Sequence, residues 1–403
     1  MPNSLLTPTV IAKEGLMQLR NNLVMGGLVH REYREEFKKV GDTIQIRRPV
    51  KFTRTSGATR TNQDVTEGYI TMQINNRHHV SWAFSTQDLT LTIKDYSERY
   101  VTPAAIELGN GVDSDLLALY DDIANSVGVP GSTPSSFAAL GSAAIRLDDN
   151  ATPDDGRRNM VLNPDARWTL ADALKGTFDS TLAKDTVRRG LLGKLANMMV
   201  YGDQNVARHT TGTRAGDLSV LTNGAVSDTY STSSITSTIA LDGFSVATGT
   251  IKAGDVFTIA NVFAVNPRNR QSTGKLQQFV VTADANVVGS AVSVTVFPRI
   301  IASGAYQTVT AGAADNAAVT FYGGAAGTAY PQNMAFHRNA FGLVFIPLEL
   351  PRSAGFKARS TMEGVSIRIV EDFDIDNDTE IIRMDILNAT KTLYPELAVR
   401  IWA

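Results

Sequence analysis

Residues 103–127 read PAAIELGNGVDSDLLALYDDIANSV, and this stretch decides how the chain is organised. Its apolar side chains recur at steps of three and four, the period of one helix face; they are Ala105, Leu108, Val112, Leu116, Leu119 and Ile123. Thr102 and Pro103 supply a cap and a first turn, and Gly128 stops the pattern. The spacing therefore predicts one helix over 103–127, a rod of about 37 Å.

A second helix is predicted upstream, over residues 8–25. Its apolar face follows a 4-3-4 spacing through Ala12, Leu16, Leu19 and Leu23. Thr7 can cap this helix, and Gly26 ends it. Two roles remain open for it: a helix packed on its own domain, or an arm docked on a neighbouring subunit.

Between these helices, residues 41–94 have the pattern of a β excursion. Apolar and polar residues alternate over 43–46, 69–74 and 80–84, as is typical of half-buried strands. The stretch 53–62 is polar throughout. The pattern predicts a long two-stranded hairpin with a polar tip. Because an isolated hairpin is marginal in water, it needs a surface to lie on.

Basic residues concentrate on this excursion, and they make it the candidate site for contact between subunits. The candidate contact residues are Arg47, Arg48, Lys51, Arg54, Arg60, Asp64 and Glu67. Three interpretations remain open for the basic cluster: a solvated strand face, electrostatic docking onto acidic patches of a neighbouring subunit, or contact with nucleic acid.

Downstream of the long helix, the pattern is that of an α+β domain. A helix is predicted from Thr133, a short buried strand over 159–162, and a further helix from 163 to about 175. Strands return at the end of the chain, over 365–370, 380–387 and 397–402.

An all-β segment interrupts this domain. Residues 225–331 contain only five Lys or Arg, five Asp and no Glu, while Thr, Ser, Val, Ala and Gly dominate. Short strands bounded by turn residues are predicted over 255–259, 278–282 and 291–297, which indicates a small barrel or sandwich. Because α+β patterns stand on both sides, we interpret the segment as an inserted β-barrel.

Composition narrows the functional classes. The 403 residues carry a formal charge of −2, which argues against a dedicated nucleic-acid-binding protein. The chain has no cysteine, so disulfides, thiolate nucleophiles and Cys-ligated metals are excluded. We find neither an 18-residue apolar run nor the pattern of a signal peptide, and we expect a protein made in a cytoplasm.

No residue pattern indicates catalysis, a cofactor or a metal. The adjacent His78 and His79 point to opposite faces of a strand, and no histidine lies in a ligand motif. The loop that begins at Asp372 resembles an EF-hand, but Asn377 and Arg383 stand where that loop requires Gly and Glu. This favours a solvated turn. Since neither a phosphate-binding loop nor a nucleophile elbow is present, we expect a protein that is not an enzyme.

The order of these parts resembles the major capsid (coat) proteins of tailed bacteriophages. It is most similar to the coat protein family of the short-tailed Salmonella phages, whose members carry an inserted β-barrel. The segments that support this resemblance are GLLGKLA at 190–196, VYGDQNV at 200–206, HTTG at 209–212, GDVFTIANV at 254–262, VSVTVFP at 292–298, NMAFHRNAF at 333–341 and LYPELAV at 393–399.

The resemblance implies an α+β tailed-phage capsid fold. Its parts would be an N-arm, a long β-hairpin E-loop, a spine helix, peripheral and axial domains, and the inserted all-β barrel. The expected boundaries are an N-terminal arm at 1–40, the extended β loop at 41–94, the spine helix and first part of the core at 95–223, the inserted barrel at 224–331, and the C-terminal part of the core at 332–403.

The resemblance also implies a function. Many copies would form the hexamers and pentamers of an icosahedral shell around double-stranded DNA, through a scaffolded precursor that expands. The implied partners are other copies of the chain, a scaffolding protein, a portal protein and weakly bound DNA, and no membrane; the protein would reside in the virion after assembly in the host cytoplasm. The alternatives are an encapsulin-like cellular cargo shell and another β-rich virion component, a tail or decoration protein.

Overall fold

A computed structural model of the chain describes residues 8–33, 43–60, 62–63, 65–85, 97–174, 193–352, 354–362 and 364–402. The chain divides into two compact units. The first comprises Met1–Gln45, Thr71–Leu117 and Phe341–Lys391, and the second comprises Ile46–Ile70, Ala118–Ala340 and Thr392–Ala403. Thr7, proposed above as a helix cap, and residues 190–192 of the GLLGKLA segment lie outside the described residues.

The described residues are richer in strands than in helices. The α-helices are α1 Pro8–Asn22, α2 Met25–Leu28, α3 Thr102–Leu117, α4 Phe137–Asp149 and α5 Pro164–Leu174. The strands up to the middle of the chain are β1 Thr43–Arg47, β2 Tyr69–Gln73, β3 Asn76–Ser85, β4 Ser126–Val127, β5 Arg158–Leu162, β6 Lys194–Leu195, β7 Met198–Gly202, β8 Arg208–Thr210, β9 Leu221–Thr222, β10 Ser237–Asp242 and β11 Thr248–Ile251. The later strands are β12 Val256–Val265, β13 Ser272–Val281, β14 Ala285–Val288, β15 Val292–Phe297, β16 Val319–Phe321, β17 Ala329–His337, β18 Phe341–Phe345, β19 Phe356–Met362, β20 Val365–Asp374, β21 Thr379–Thr392 and β22 Ala398–Trp402.

The first unit is built on a five-stranded sheet. Its strand order is β18-β21-β20-β19, and β3 pairs along β21. Helix α1 packs against α3 and against β19 and β20. The close approach is visible at Gly15, where an added Cβ would lie 3.0 Å from the Met384 side chain. Apolar side chains from helices and sheet are buried together, among them Leu16, Leu19, Leu108, Val112, Ile367 and Met384.

A polar contact fixes the start of the chain to α3. The carboxylate of Asp113 accepts hydrogen bonds from the backbone N–H groups of Val24, at 2.6 Å, and Gly26, at 2.8 Å. Asp113 is 1% exposed, and these N–H groups flank the first residue of the short helix α2. A buried carboxylate at a helix start meets the unpaired N–H groups that such an end leaves.

The long helix is shorter than the apolar spacing predicts. The α-helix ends at Leu117, and Ala118–Asp122 form a tighter 3-10 turn. Beyond it, Ser126 and Val127 pair in parallel with Arg400 and Ile401 of the last strand. Tertiary pairing with a sheet therefore replaces the last helical turns, although their residues still carry helical spacing.

The second unit contains a mixed seven-stranded sheet. Its order is β4-β22-β17-β5-β7-β6, with β8 also pairing to β17. Pairs β22–β4 and β5–β7 are parallel, whereas β17 runs antiparallel to both of its neighbours, β22 and β5. Helices α4 and α5 cover an apolar cluster on this sheet, formed by residues such as Leu140, Leu147, Met160, Leu170 and Val399.

Helix α4 begins later than the sequence pattern predicts. It starts at Phe137 and not at Thr133, since the Ser136 hydroxyl caps it by accepting a hydrogen bond from the Ala139 N–H. Phe137 is 52% exposed. The core face of the helix is therefore Leu140, Ala143 and Leu147.

The β-rich segment closes into a barrel. Its six-stranded sheet has the order β16-β12-β13-β15-β10-β9. The two outer strands then meet, because Val319 donates to the carbonyl of Val220 at 2.9 Å and Thr222 donates to that of Ala317 at 3.0 Å. Closure by hydrogen bonds between the first and last strands defines a barrel. Its interior is apolar, with Ile239, Phe257, Phe279, Val294 and Val296 among the buried residues.

Candidate intersubunit surface

The base of the excursion is a short ribbon and not a long hairpin. Strands β1 and β2 form a two-stranded sheet of five residues each. β3, which the pattern placed in the same hairpin, pairs instead with β21, where Trp82 lies opposite Ile382. The segment between β1 and β2 has no regular strand among its described residues. The candidate contact residues that the structure describes therefore lie on the base and the loop of this ribbon.

Two of the candidate arginines are engaged within the chain at the base. Arg47 lies 3.4 Å from Glu67, a second candidate, and both side chains are largely exposed. Arg48 forms an ion pair with Glu396 at 2.6 Å, and its guanidinium lies 5.5 Å from the centre of the Tyr394 ring. Only the Arg47–Glu67 pair joins two candidates from the sequence to each other among the described residues.

The loop above the base lies on the barrel. The Tyr69 N–H donates to the Thr232 carbonyl at 2.9 Å, and the Tyr306 hydroxyl donates to the Thr66 carbonyl at 2.9 Å. Arg270 donates to the carbonyl of Phe52 at 2.6 Å. These bonds join both arms of the loop to the barrel.

The fit at this contact is tight. Tyr306 stacks on Tyr230, with ring centres 3.6 Å apart. A Cβ added to Gly68 would lie 2.4 Å from the Tyr230 hydroxyl. Only a residue without a side chain therefore lets the backbone pass Tyr230 at this distance.

The tip of the loop projects its charge into solvent. Arg54 and Arg60 are exposed, and neither has an ion-pair or hydrogen-bond partner for its guanidinium among the described residues. Gln63 crosses the loop, with its carbonyl oxygen accepting from the Thr53 N–H at 2.7 Å. Asp64 lies outside the described residues. The tip therefore presents the unpaired guanidinium groups of Arg54 and Arg60, on a loop whose two arms are joined by the Gln63 side chain.

A buried polar cluster in the second unit is a feature that the sequence did not single out. His209 and Asp255, each 1% exposed at the side chain, are 2.9 Å apart, and Tyr120 lies 3.3 Å from the other ring nitrogen of His209. Arg400 is fully buried beside them and donates to the Gly254 carbonyl at 2.8 Å. The cluster ties the barrel strand that begins after Asp255 to the last strand of the chain.

Burial dominates the electrostatics of this cluster. It raises the pKa of Tyr120 to about 12, against the opposing effect of the Arg400 charge. It lowers the pKa of Arg400 to about 10, although Tyr120 and Asp255 favour the charged form. Both groups therefore keep their ordinary protonation states at neutral pH. One sequence signal could have identified this cluster: Arg400 is a lone arginine inside the apolar run over 397–402.

Other chemically suggestive residues have structural contacts. His78 lies 2.7 Å from Asp115 on α3, while His79 is exposed. The loop that resembles an EF-hand is the turn between β20 and β21, where Asp374 accepts a hydrogen bond from Asp376 at 3.0 Å. Among the described residues, no group of three or more His, Asp or Glu side chains is arranged to hold a metal ion. The helices of the described residues also include none that is long and apolar enough to cross a membrane.

Almost the whole chain matches a known family of proteins. The family model described as P22 coat protein, gene protein 5, matches residues 3–401.

The chain belongs to the P22 coat protein family.

One sequence relative and two solved structures show what this P22-family chain is similar to. The major capsid protein of Acyrthosiphon pisum secondary endosymbiont phage 1 is 23% identical over 417 residues, which cover 96% of each protein. A solved structure of Mycobacterium phage Che8 has a TM-score of 0.49 at 13% identity and covers 94% of this chain and 90% of its own. The capsid structure of cyanophage P-SCSP1u has a TM-score of 0.46 at 11% identity and covers 94% of this chain and 88% of its own.

Membership of the P22 coat family confirms the resemblance and the capsid fold predicted from the order of segments. This P22-family chain is a coat protein and a structural component of a phage virion. The family match favours this function over the cellular cargo shell and over a tail or decoration protein.

Proposed function

We propose that this coat protein is the major capsid protein of its phage and that many copies form an icosahedral shell of hexamers and pentamers around double-stranded DNA. Assembly takes place in the host cytoplasm on a scaffolding protein, around a portal protein, and the precursor shell then expands. The protein has no enzymatic role and meets the packaged DNA by weak, non-specific contacts. Membership of the coat family over residues 3–401 is the observation that carries the proposal.

The excursion supplies one intersubunit contact in this proposal. Its loop is held to the barrel by hydrogen bonds near Phe52 and Thr66, so the tip is presented on a fixed base. The free guanidinium groups of Arg54 and Arg60 are there available to acidic groups of a neighbouring subunit. A shell gains stability from many such contacts, although each exposed ion pair contributes only about 0–1 kcal/mol.

The weak contact with DNA follows from charge. The formal charge of the chain is −2, whereas tight binding to DNA requires several phosphates to be neutralised by basic groups. Weak contact lets the packaged DNA leave the shell.

Charge reversal at the tip tests the assembly surface. Reversal at Arg48 would place two carboxylates together at Glu396 and disturb the subunit itself, so the test uses the double variant Arg54→Glu, Arg60→Glu. We expect it to fold, judged by its circular dichroism spectrum, and to yield fewer closed particles by electron microscopy and sedimentation.

The matched control is Arg54→Lys with Arg60→Lys, which keeps both charges and should assemble as the unchanged protein does. A normal particle yield from the glutamate variant would reject the tip as a contact. Failure of the unchanged protein to form any closed particle, with scaffolding protein present, would reject the proposed function.

A further inference from the structure

A pocket lies where the base of the excursion meets the barrel, within the second unit. Its volume is about 120 Å³, comparable with cavities that hold a single aromatic ring. Much of its wall is apolar and comes from Ile235, Val265, Phe297 and Ile301 of the barrel segment. A pocket of this size with such walls fits a small apolar body.

Charged groups line the same pocket with an excess of cations. Arg48, Lys51 and Arg299 line it, against one carboxylate, Glu396. Glu396 is already paired with Arg48 at 2.6 Å. Arg299 is held by the carbonyls of Thr229 and Thr236, at 2.7 and 2.8 Å, and lies 3.8 Å from Asp228.

Lys51 is the cation that remains without a counterpart. Its backbone N–H donates to the Tyr306 hydroxyl at 3.4 Å, but its ammonium has no acceptor among the described residues. The ammonium is partly desolvated, although Lys51 as a whole is exposed. This desolvation lowers the pKa of Lys51, and the charges of Arg48 and Arg270 lower it further, against the opposing effect of Glu396. An anion beside this ammonium would relieve the repulsion among these cations.

We propose that this pocket binds a small organic carboxylate with an apolar body, its carboxylate on Lys51 and its body against the barrel wall. Charge-assisted hydrogen bonds and an apolar pocket with a few polar groups are the usual features of such a site. Lys51 and Arg48 lie on the excursion, whereas Phe297 and Ile301 lie in the barrel segment. A ligand in this pocket therefore contacts both parts and stabilises the contact between the excursion and the barrel segment. The proposal concerns the single subunit and does not rest on assembly.

Benzoate is the probe for this site, and its neutral analogue benzyl alcohol is the control ligand. Calorimetric titration of the unassembled full-length subunit should give saturable benzoate binding with a dissociation constant of about 1 mM, as expected for so small a ligand. Benzyl alcohol should bind at least roughly tenfold more weakly, because it lacks the charge that meets Lys51.

Substitutions test whether benzoate binds in this pocket. Lys51→Met keeps the apolar stem and should weaken benzoate at least roughly tenfold, while Lys51→Arg should retain it. The matched control is Arg54→Met, which removes an exposed cation of the same loop outside the pocket and should leave the affinity unchanged. The proposal is overturned if benzoate does not saturate, if benzyl alcohol binds equally well, or if Lys51→Met binds benzoate as the unchanged protein does.

Discussion

Replacing Asp385 with asparagine should destabilise the sheet of the first unit by about 3 kcal/mol. The side chain of Asp385 is fully buried in β21 and accepts hydrogen bonds from Arg368 at 2.5 Å and Arg383 at 2.7 Å. Removing one partner of a buried ion pair costs about 3–5 kcal/mol. The Arg368 side chain is only 11% exposed, but that of Arg383 is 38% exposed and can return to water, so the lower end of this range applies.

The effect should depend on pH in a defined direction. Burial acts to raise the pKa of Asp385, but the hydrogen bonds from Arg368 and Arg383 outweigh it and hold the pKa below 3.8. The contribution of a carboxylate with a lowered pKa is fully present above its unfolded pKa and is lost as the pH falls through the native value. The difference between Asp385→Asn and the unchanged protein is therefore constant near neutral pH and shrinks below about pH 4.

Hydrogen exchange measured by mass spectrometry on peptides from β20 and β21 is the assay, since it reports local opening. A loss of about 3 kcal/mol corresponds to roughly 100-fold faster exchange at pH 7. The control is Asp376→Asn in the exposed turn of the same hairpin, which should exchange as the unchanged protein does. If Asp385→Asn exchanges at the rate of this control, the ion-pair argument is wrong.

Three further predictions follow from particular contacts. Burial, then hydrogen bonding and repulsion by Glu380, raise the pKa of Glu371 from 4.5 to about 8, so the unchanged protein loses stability as the pH rises through this range. Glu371→Gln should therefore raise the midpoint of urea unfolding more at pH 9 than at pH 5, and an equal rise at both pH values would contradict this. Gly68→Ala should loosen the base of the excursion and speed trypsin cleavage after Arg47 and Lys51, whereas Gly141→Ala, where an added Cβ meets nothing within 4 Å, should not. A segment spanning 213–328 should fold alone into a β-rich barrel and be more stable than 224–331, because Val220 and strand β9 belong to the barrel. A random-coil circular dichroism spectrum from the 213–328 segment would show that the barrel folds only together with the rest of the chain.

Local pattern was sufficient to predict most elements but not their partners. The alternation over 365–370 and 380–387 correctly predicts β20 and β21, and the 4-3-4 spacing correctly predicts that Ala12, Leu16 and Leu19 are buried. The pairing of β3 with β21 joins segments about 300 residues apart, and no local period encodes it. The sequence therefore predicts strands more readily than sheets.

The candidate site shows the same limit. Charge density along the excursion identified Arg47, Arg48 and Lys51, but the partner of Arg48 lies 348 residues away, at Glu396. Nothing in the sequence separates this engaged arginine from the free Arg54, because both stand in the same basic stretch. Their difference arises because Arg48 lies beside Glu396 and Tyr394 near the end of the chain, whereas the Arg54 guanidinium has no partner among the described residues. The domain boundaries and the intersubunit roles of these residues stay predictions.

The closed barrel has a consequence for how a protein made in many copies stays clear of aggregates. An open sheet presents unpaired N–H and C=O groups along its outer strands, and these can recruit a strand from another molecule. Here residues 220–222 form backbone hydrogen bonds with residues 316–319. The structure describes both stretches, and the N–H and C=O groups that the two outer strands would leave unpaired bond to each other. A newly synthesised subunit among many identical ones is thus protected from strand exchange at this sheet. The barrel presents its loops, and not the edges of this sheet, to other molecules.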